Sequence, residues 1–218
     1  MNWQEFTALL VLATAMSFTP GPNTTLSTAL AANHGLRHAL PFICAVPVGW
    51  AGLLGVCELG LGALVLAVPL LGWAVKIIGV VYLLYLAFKL MGVRFQFRSQ
   101  PQAGGRERFT LRRNWNPTPI NLFWQGAALQ FLNIKAWMLA LAIVSGWIAG
   151  RADPGLRFAV VLPVMLAFAF TSNLAYALAG SLLRDWLAGP AGSSRRLAGF
   201  NCVMAMVLAV TAIWMLFL

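Results

Sequence analysis

The sequence predicts an all-α integral membrane protein of about six transmembrane helices, and three observations carry that prediction. Of the 218 residues, 61% are apolar and only 9% are charged, whereas a soluble domain carries roughly a quarter charged residues. The apolar residues gather in runs long enough for a bilayer core, which needs ~20 residues per helical span. Most of the basic residues lie between these runs rather than within them. The formal net charge of +10 therefore reads as a topology signal and not as a nucleic-acid footprint. Spans and loops use up the length, so 1–218 is expected to form a single membrane domain.

The runs place spans at about 5–32, 39–67, 70–91, 120–149, 156–181 and 197–218. The first twenty residues hold Glu5 and no Lys or Arg. A signal peptide needs a basic n-region, so this run is expected to be retained as span 1. The connections are His34 to His38, a tight turn at Pro69, the segment 92–119, Gly150 to Gly155, and 182–196. One side of the bundle collects Arg37, Lys89, Arg94, Arg98, Arg106, Arg108, Arg112, Arg113, Arg184, Arg195 and Arg196, and the other only Arg151 and Arg157. Eleven against two makes the first side cytoplasmic and puts both termini outside. The six arginines of 94–113 stand among Gln, Gly, Ser and Pro, which reads as a solvated linker and topology determinant before it reads as an anionic-lipid contact.

Three spans per half require the second half to lie upside down relative to the first, the inverted-repeat plan of many secondary transporters. Repeat 1 is then about 1–91, the cytoplasmic loop about 92–119 and repeat 2 about 120–218. Phe18-Thr19-Pro20-Gly21-Pro22-Asn23 interrupts span 1, and Phe131-Leu132-Asn133-Ile134-Lys135 interrupts span 4, 113 residues later. Pro47 and Pro163 stand 116 residues apart in spans 2 and 5. Near-equal offsets are what a duplicated unit leaves behind.

The candidate site starts at Thr19, Pro20, Gly21, Pro22 and Asn23. Two prolines and a glycine should break the helix. Broken backbone is tolerated at membrane depth only inside protein or beside a watery cavity, and a half-helix N-terminus attracts anions such as a carboxylate. Gln130, Asn133 and Lys135 are the second cluster. A lysine deep in a span costs ~2.5–3.5 kcal/mol on insertion scales, so Lys135 should face protein, a counter-charge or a cavity. Asn173 is either interhelical glue or a substrate contact. Glu58 is the only carboxylate deep in a span. It reads first as an ion pair with Lys76 across the Pro69 hairpin, and second as a group handling a coupling proton, a role open to Lys135 as well.

Cys44, Cys57 and Cys202 are odd in number and form no CxxC, so they predict core residues, with no disulfide framework and no metal site. His34 and His38 sit at one loop without a neighbouring carboxylate and read as solvated turn residues. Trp3, Trp73, Trp147 and Trp186 fall near span ends, as an aromatic belt requires.

At these residues the sequence resembles the lysine exporter and homoserine/threonine resistance family of amino-acid exporters. The likeness rests on Thr19 to Asn23, on Asn33-His34-Gly35-Leu36-Arg37, on Phe123 to Lys135 and on Asn173 to Gly180, in that order and spacing. Many members carry proline where Ile134 stands here. Ala128 to Lys135 is similar to the branch that exports cysteine and O-acetylserine. The resemblance implies efflux of a small, neutral amino acid across the bacterial inner membrane, driven by protons and using no cofactor. A thiol-redox membrane enzyme would need paired cysteines near the helix breaks, and Cys44, Cys57 and Cys202 are remote from both. A hydrolase would need a nucleophile with a base or a metal cluster. A non-transporting subunit is the remaining alternative, and it gains nothing from two interrupted polar spans. Whether the chain forms a homo-oligomer is left open.

Overall fold

Asn2 starts the first helix. Its side chain accepts from the Glu5 N–H at 2.7 Å while the Glu5 carboxylate accepts from the Asn2 N–H at 3.0 Å, a capping box. The computed structural model describes residues 1–60, 62, 67–92, 117–188 and 195–217, and this helix, α1, covers Trp3–Phe18. It stops there because Pro20 and Pro22 lack N–H donors and drive the residue before each of them out of the helical region. Thr19 is extended at φ −70°, ψ 128°, and Gly21 is extended at φ −162°. Pro22 then opens α2, Pro22–His34, at the one helical position where a missing donor is harmless.

Gly35, at φ +86°, supplies the left-handed residue that ends α2 and lets α3, Leu36–Glu58, begin at once. The span predicted to run to residue 67 instead halts at Leu59 and Gly60, the latter at φ +83°; 61 and 63–66 lie outside the described residues. Proline again opens α4 (Pro69–Met91), α5 (Pro119–Leu132) and α7 (Pro154–Ala188). Between the last two runs α6, Ile134–Ile143, prolonged by a π-helical turn over Val144–Ile148. The last helix, α8, is Arg195–Met215. The loop segment 94–113, with its linker reading, lies outside the described residues.

Four helices, α3, α4, α7 and α8, are long and apolar enough to cross a bilayer, and α5 with α6 makes a fifth if that pair, bent by 65°, is one span. The predicted span 1 is divided at its prolines into α1 and α2, as expected.

The centre of the bundle is α2, ten of whose thirteen residues are buried. It packs against α7, α3 and α8, while α3 packs chiefly on α5 and α7, and α4 on α8. Apolar side chains form two clusters. One joins α2, the first half of α3, α4, α5, Ile134 at the start of α6, the middle of α7 and α8; the other joins α1, the second half of α3, the rest of α6 and the start of α7. The division falls between Val46 and Trp50, between Ile134 and Ala136, and between Met165 and Ala169. At that level, between the clusters, lie the two helix breaks.

Several expectations are corrected. Cys57 is buried, but Cys44 and Cys202 are exposed, because they fall on outward helix faces rather than in the core. His38 is no solvated turn residue: its Nε2 lies 3.0 Å from the Pro117 carbonyl oxygen, and its ring is 5.1 Å from that of half-buried His34. Glu58 and Lys76 form no ion pair, since α3 and α4 pack chiefly on other helices. The Lys76 ammonium instead lies 5.4 Å from the centre of the Trp73 ring, a cation–π contact. Trp3, Trp73 and Trp186 are exposed near helix ends, as a belt requires. Trp147 is half-buried and donates to the Glu5 carbonyl at 2.8 Å.

Candidate functional site

The two breaks face one another. Thr19, Gly21, Pro22 and Asn23 from the first, and Gln130, Asn133 and Lys135 from the second, line one cavity of about 70 Å³ together with Asn173. Two predicted residues are not on its wall: Pro20, which shapes the first break, and Glu58, the last residue of α3.

The second break forms without a proline. Asn133 is extended at φ −102°, ψ 103°, and its side chain accepts from the Lys135 N–H at 3.2 Å, capping α6. The indole N–H of Trp137 donates to the Phe131 carbonyl at 2.9 Å, satisfying an acceptor that the end of α5 leaves free. An N-cap asparagine and one tryptophan thus do what two prolines do in the first break.

Lys135 reaches across to the other break, donating from Nζ to the Thr19 carbonyl at 3.3 Å. A cation there meets the negative end of α1, whose last carbonyls have no helical partner. Tyr176 donates to the neighbouring Phe18 carbonyl at 2.8 Å. The Thr19 hydroxyl turns back to the Ala15 carbonyl. Lys135 is the one ionisable side chain on the cavity wall, and the N-termini of α2 and α6 open beside it, each meeting the carbonyl end of the half-helix before it.

The amides are paired with one another. Asn23 and Gln130 exchange two hydrogen bonds of 2.9 and 3.1 Å, and Gln130 also donates to the Gly126 carbonyl at 2.9 Å. Asn173 accepts from Ser27 at 2.9 Å and donates to the Ala169 carbonyl at 2.8 Å. These contacts tie α2 to α5 and to α7. Asn33 and Asn201 make a similar reciprocal pair, at 2.7 and 3.1 Å, between α2 and α8. Polar pairs of this kind hold helices together where water is absent. A double-mutant cycle on Asn23→Ala and Gln130→Ala should give a coupling of about 0.6–1.7 kcal/mol in thermal unfolding, and additivity of the two would remove the clamp.

Sequence reasoning missed Met16, Ser17, Thr24, Val46, Trp50, Ala136, Leu139, Ala169 and Ser172, which complete the wall. Thr24 has a local signal, closing the first turn of α2 through bonds of 2.9 and 3.0 Å with Gly21. The apolar members carry none, because their facing depends on how α3 and α6 are rotated.

Apolar helices packed around a cavity that carries one lysine between two broken helices define an integral membrane protein of the transporter class, multi-pass and all-helical among its described residues. The chain belongs to the LysE type translocators, whose family model matches residues 14–217. It is similar to a cysteine/O-acetylserine efflux protein of Escherichia coli O1:K1 / APEC, 30% identical over 178 residues, covering 79% of this chain and 80% of the relative. It is 26% identical over 169 residues to the cysteine/O-acetylserine efflux protein of Salmonella choleraesuis (strain SC-B67), covering 77% and 78%. No solved structure matches.

Proposed function

We propose that the protein is an inner-membrane secondary transporter that exports a small neutral amino acid, cysteine/O-acetylserine-like or homoserine/threonine-like, with proton coupling. The observation that carries this is the meeting of both helix breaks at one cavity whose single ionisable group is Lys135. An ammonium and two half-helix N-termini suit a carboxylate. The wall has no carboxylate, which favours a neutral side chain over a cationic one, and Val46, Trp50, Ala136 and Leu139 offer it apolar surface. The names of the efflux relatives agree with this reading.

The cavity, about 70 Å³, is under half of the ~150 Å³ that takes benzene. That volume suits water and is too small for an amino acid, so the half-helices around it must move during transport. The full plan we propose is six spans, α1 with α2 and α5 with α6 each counting as one, arranged as two inverted repeats about 1–91 and 120–218, with both termini outside. Lys135 is the residue we assign to proton coupling; Glu58 stands apart from the cavity and is the second candidate.

The test is loss of amino acids from cells loaded by dipeptide feeding. The wild-type protein should speed loss of cysteine, O-acetylserine or another small neutral amino acid. At matched membrane expression Pro20→Ala should slow that loss by roughly ten- to a hundredfold, the scale of a misplacement of up to 1 Å in a binding geometry. Loss at the empty-vector rate for every amino acid would refute the proposed substrate class.

A further inference from the structure

We propose that α1 is the moving gate of the transport cavity, latched shut by Glu5 against Arg157 and Arg151; this rests on the cavity being the transport site. Only Leu9 and Ala13 of α1 are buried, in contrast to most of α2, yet Met16 and Ser17 at its end form part of the cavity wall. A wall with so few packed side chains must be held by something else. At the cavity end it is held by Lys135 on the Thr19 carbonyl and Tyr176 on that of Phe18.

At the far end everything converges on Glu5. Its Oε2 lies 3.2 Å from both Nη atoms of Arg157, and its Oε1 lies 3.4 Å from Nη1 of Arg151. The indole N–H of Trp147 holds the Glu5 carbonyl, and Arg157 donates on to the Trp147 carbonyl at 3.3 Å. The carboxylate therefore joins α1 to α7 and to the turn at Arg151 that leads into it. Beside it a cavity of about 370 Å³ lies between Asn2, Phe6, Asp153, Arg157 and Val160. Polar contacts at Glu5 thus add to the apolar packing of Leu9 and Ala13 with Val161 and Met165 in bridging α1 and α7.

The extended residues Thr19 and Gly21 give α1 a hinge at its other end. A substrate carboxylate that takes the Lys135 ammonium away from Thr19 loosens the cavity end, where only the Tyr176 bond to Phe18 then remains, and the Glu5 latch becomes the main tie that keeps the half-helix closed. Opening it exposes the cavity at the arginine-poor end of the bundle, the end predicted to lie outside.

The test uses the full-length protein in nanodiscs, open to reagent on both faces. Ser17→Cys, lining the cavity, is labelled with a bulky maleimide and counted above the parent's own labelling. Adding Glu5→Gln should raise the labelling rate about fivefold, the population change expected on losing a partly exposed ion pair. The charge swap Glu5→Arg with Arg157→Glu should return it to within about twofold of the parent. Labelling unchanged by Glu5→Gln overturns the gate. Buried Cys57 reports folding, and if Glu5→Gln exposes it, a second arm decides. In amino-acid-loaded cells rather than nanodiscs, Trp3→Cys and Leu156→Cys, at exposed positions beside the 370 Å³ cavity, are joined by a thiol-cleavable crosslinker. Export should fall at least about tenfold and recover on reduction, whereas undiminished export by the crosslinked protein overturns the proposal. If the uncrosslinked parent exports no amino acid, the functional reading has failed and the labelling arm still decides the gate.

Discussion

Lys135→Ala should lower amino-acid export by about two orders of magnitude at matched expression. A hydrogen bond to a charged group contributes ~1.5–3 kcal/mol, and ~2.7 kcal/mol corresponds to about a hundredfold in rate. The ammonium is the one formal charge on the cavity wall, so no other charged side chain can take over its carboxylate contact. The variant also frees the Thr19 carbonyl, but Tyr176 still holds its neighbour, so the protein should still elute as a folded species. Lys135→Arg separates two roles. Guanidinium keeps the positive charge but cannot give up a proton in a protein. If Lys135 only binds, the arginine variant should keep a sizeable part of export. If it also carries the coupling proton, the variant should exchange substrate across the membrane yet fail to move it up its concentration gradient when a pH gradient is imposed. Wild-type export by Lys135→Ala would remove the cavity as the transport site.

The break at Pro20 and Pro22 was legible in the sequence because it follows from covalent structure: a proline has no N–H to give. The break at Asn133 was legible only as a polar patch, since Ile134 stands where a proline would have announced it and the cap on Lys135 is a matter of side-chain geometry. The spacing of the breaks pointed to a repeat and not to a shared site; the fold brings them together through Lys135 and Thr19, 116 residues apart. Partners across helices were not legible. Glu58 and Lys76 lie at similar distances from their turn, yet adjacency in the chain does not make α3 and α4 close neighbours. Among the described residues Arg151 and Arg157 do meet a carboxylate, that of Glu5, 152 residues before Arg157 in the chain. Helix rotation was equally hidden, which is why Cys44 and Cys202 were expected inside, and why Trp147 read as a belt residue rather than as a tie to Glu5.

Gly180→Ala should destabilise the purified protein by about 3 kcal/mol, the upper part of the usual range for overpacking, or roughly 6–12 °C in Tm for a chain of this size. A Cβ there would sit 2.2 Å from the Thr28 carbonyl oxygen and 3.0 Å from the Thr28 Cα. Both are backbone atoms of α2, which cannot swing aside as a side chain can. The same holds at Gly79 against Leu132 and at Gly49 against Ala127, at 2.1 and 2.4 Å, so the breaks are enclosed by backbones in direct contact. Gly199→Ala and Gly55→Ala are the controls. Nothing lies within 4 Å of a Cβ at either position, and alanine in a helix interior should stabilise by about 0.5–1 kcal/mol. Equal Tm values for Gly180→Ala and Gly199→Ala would mean that the α2–α7 distance is not set by backbone contact. The consequence reaches the cavity. Ser27 lies one residue before Thr28 and bonds Asn173 on α7, so pushing the helices apart at Gly180 pulls that bond open. Export should then fall even in the fraction of Gly180→Ala that stays folded, while Gly199→Ala exports normally.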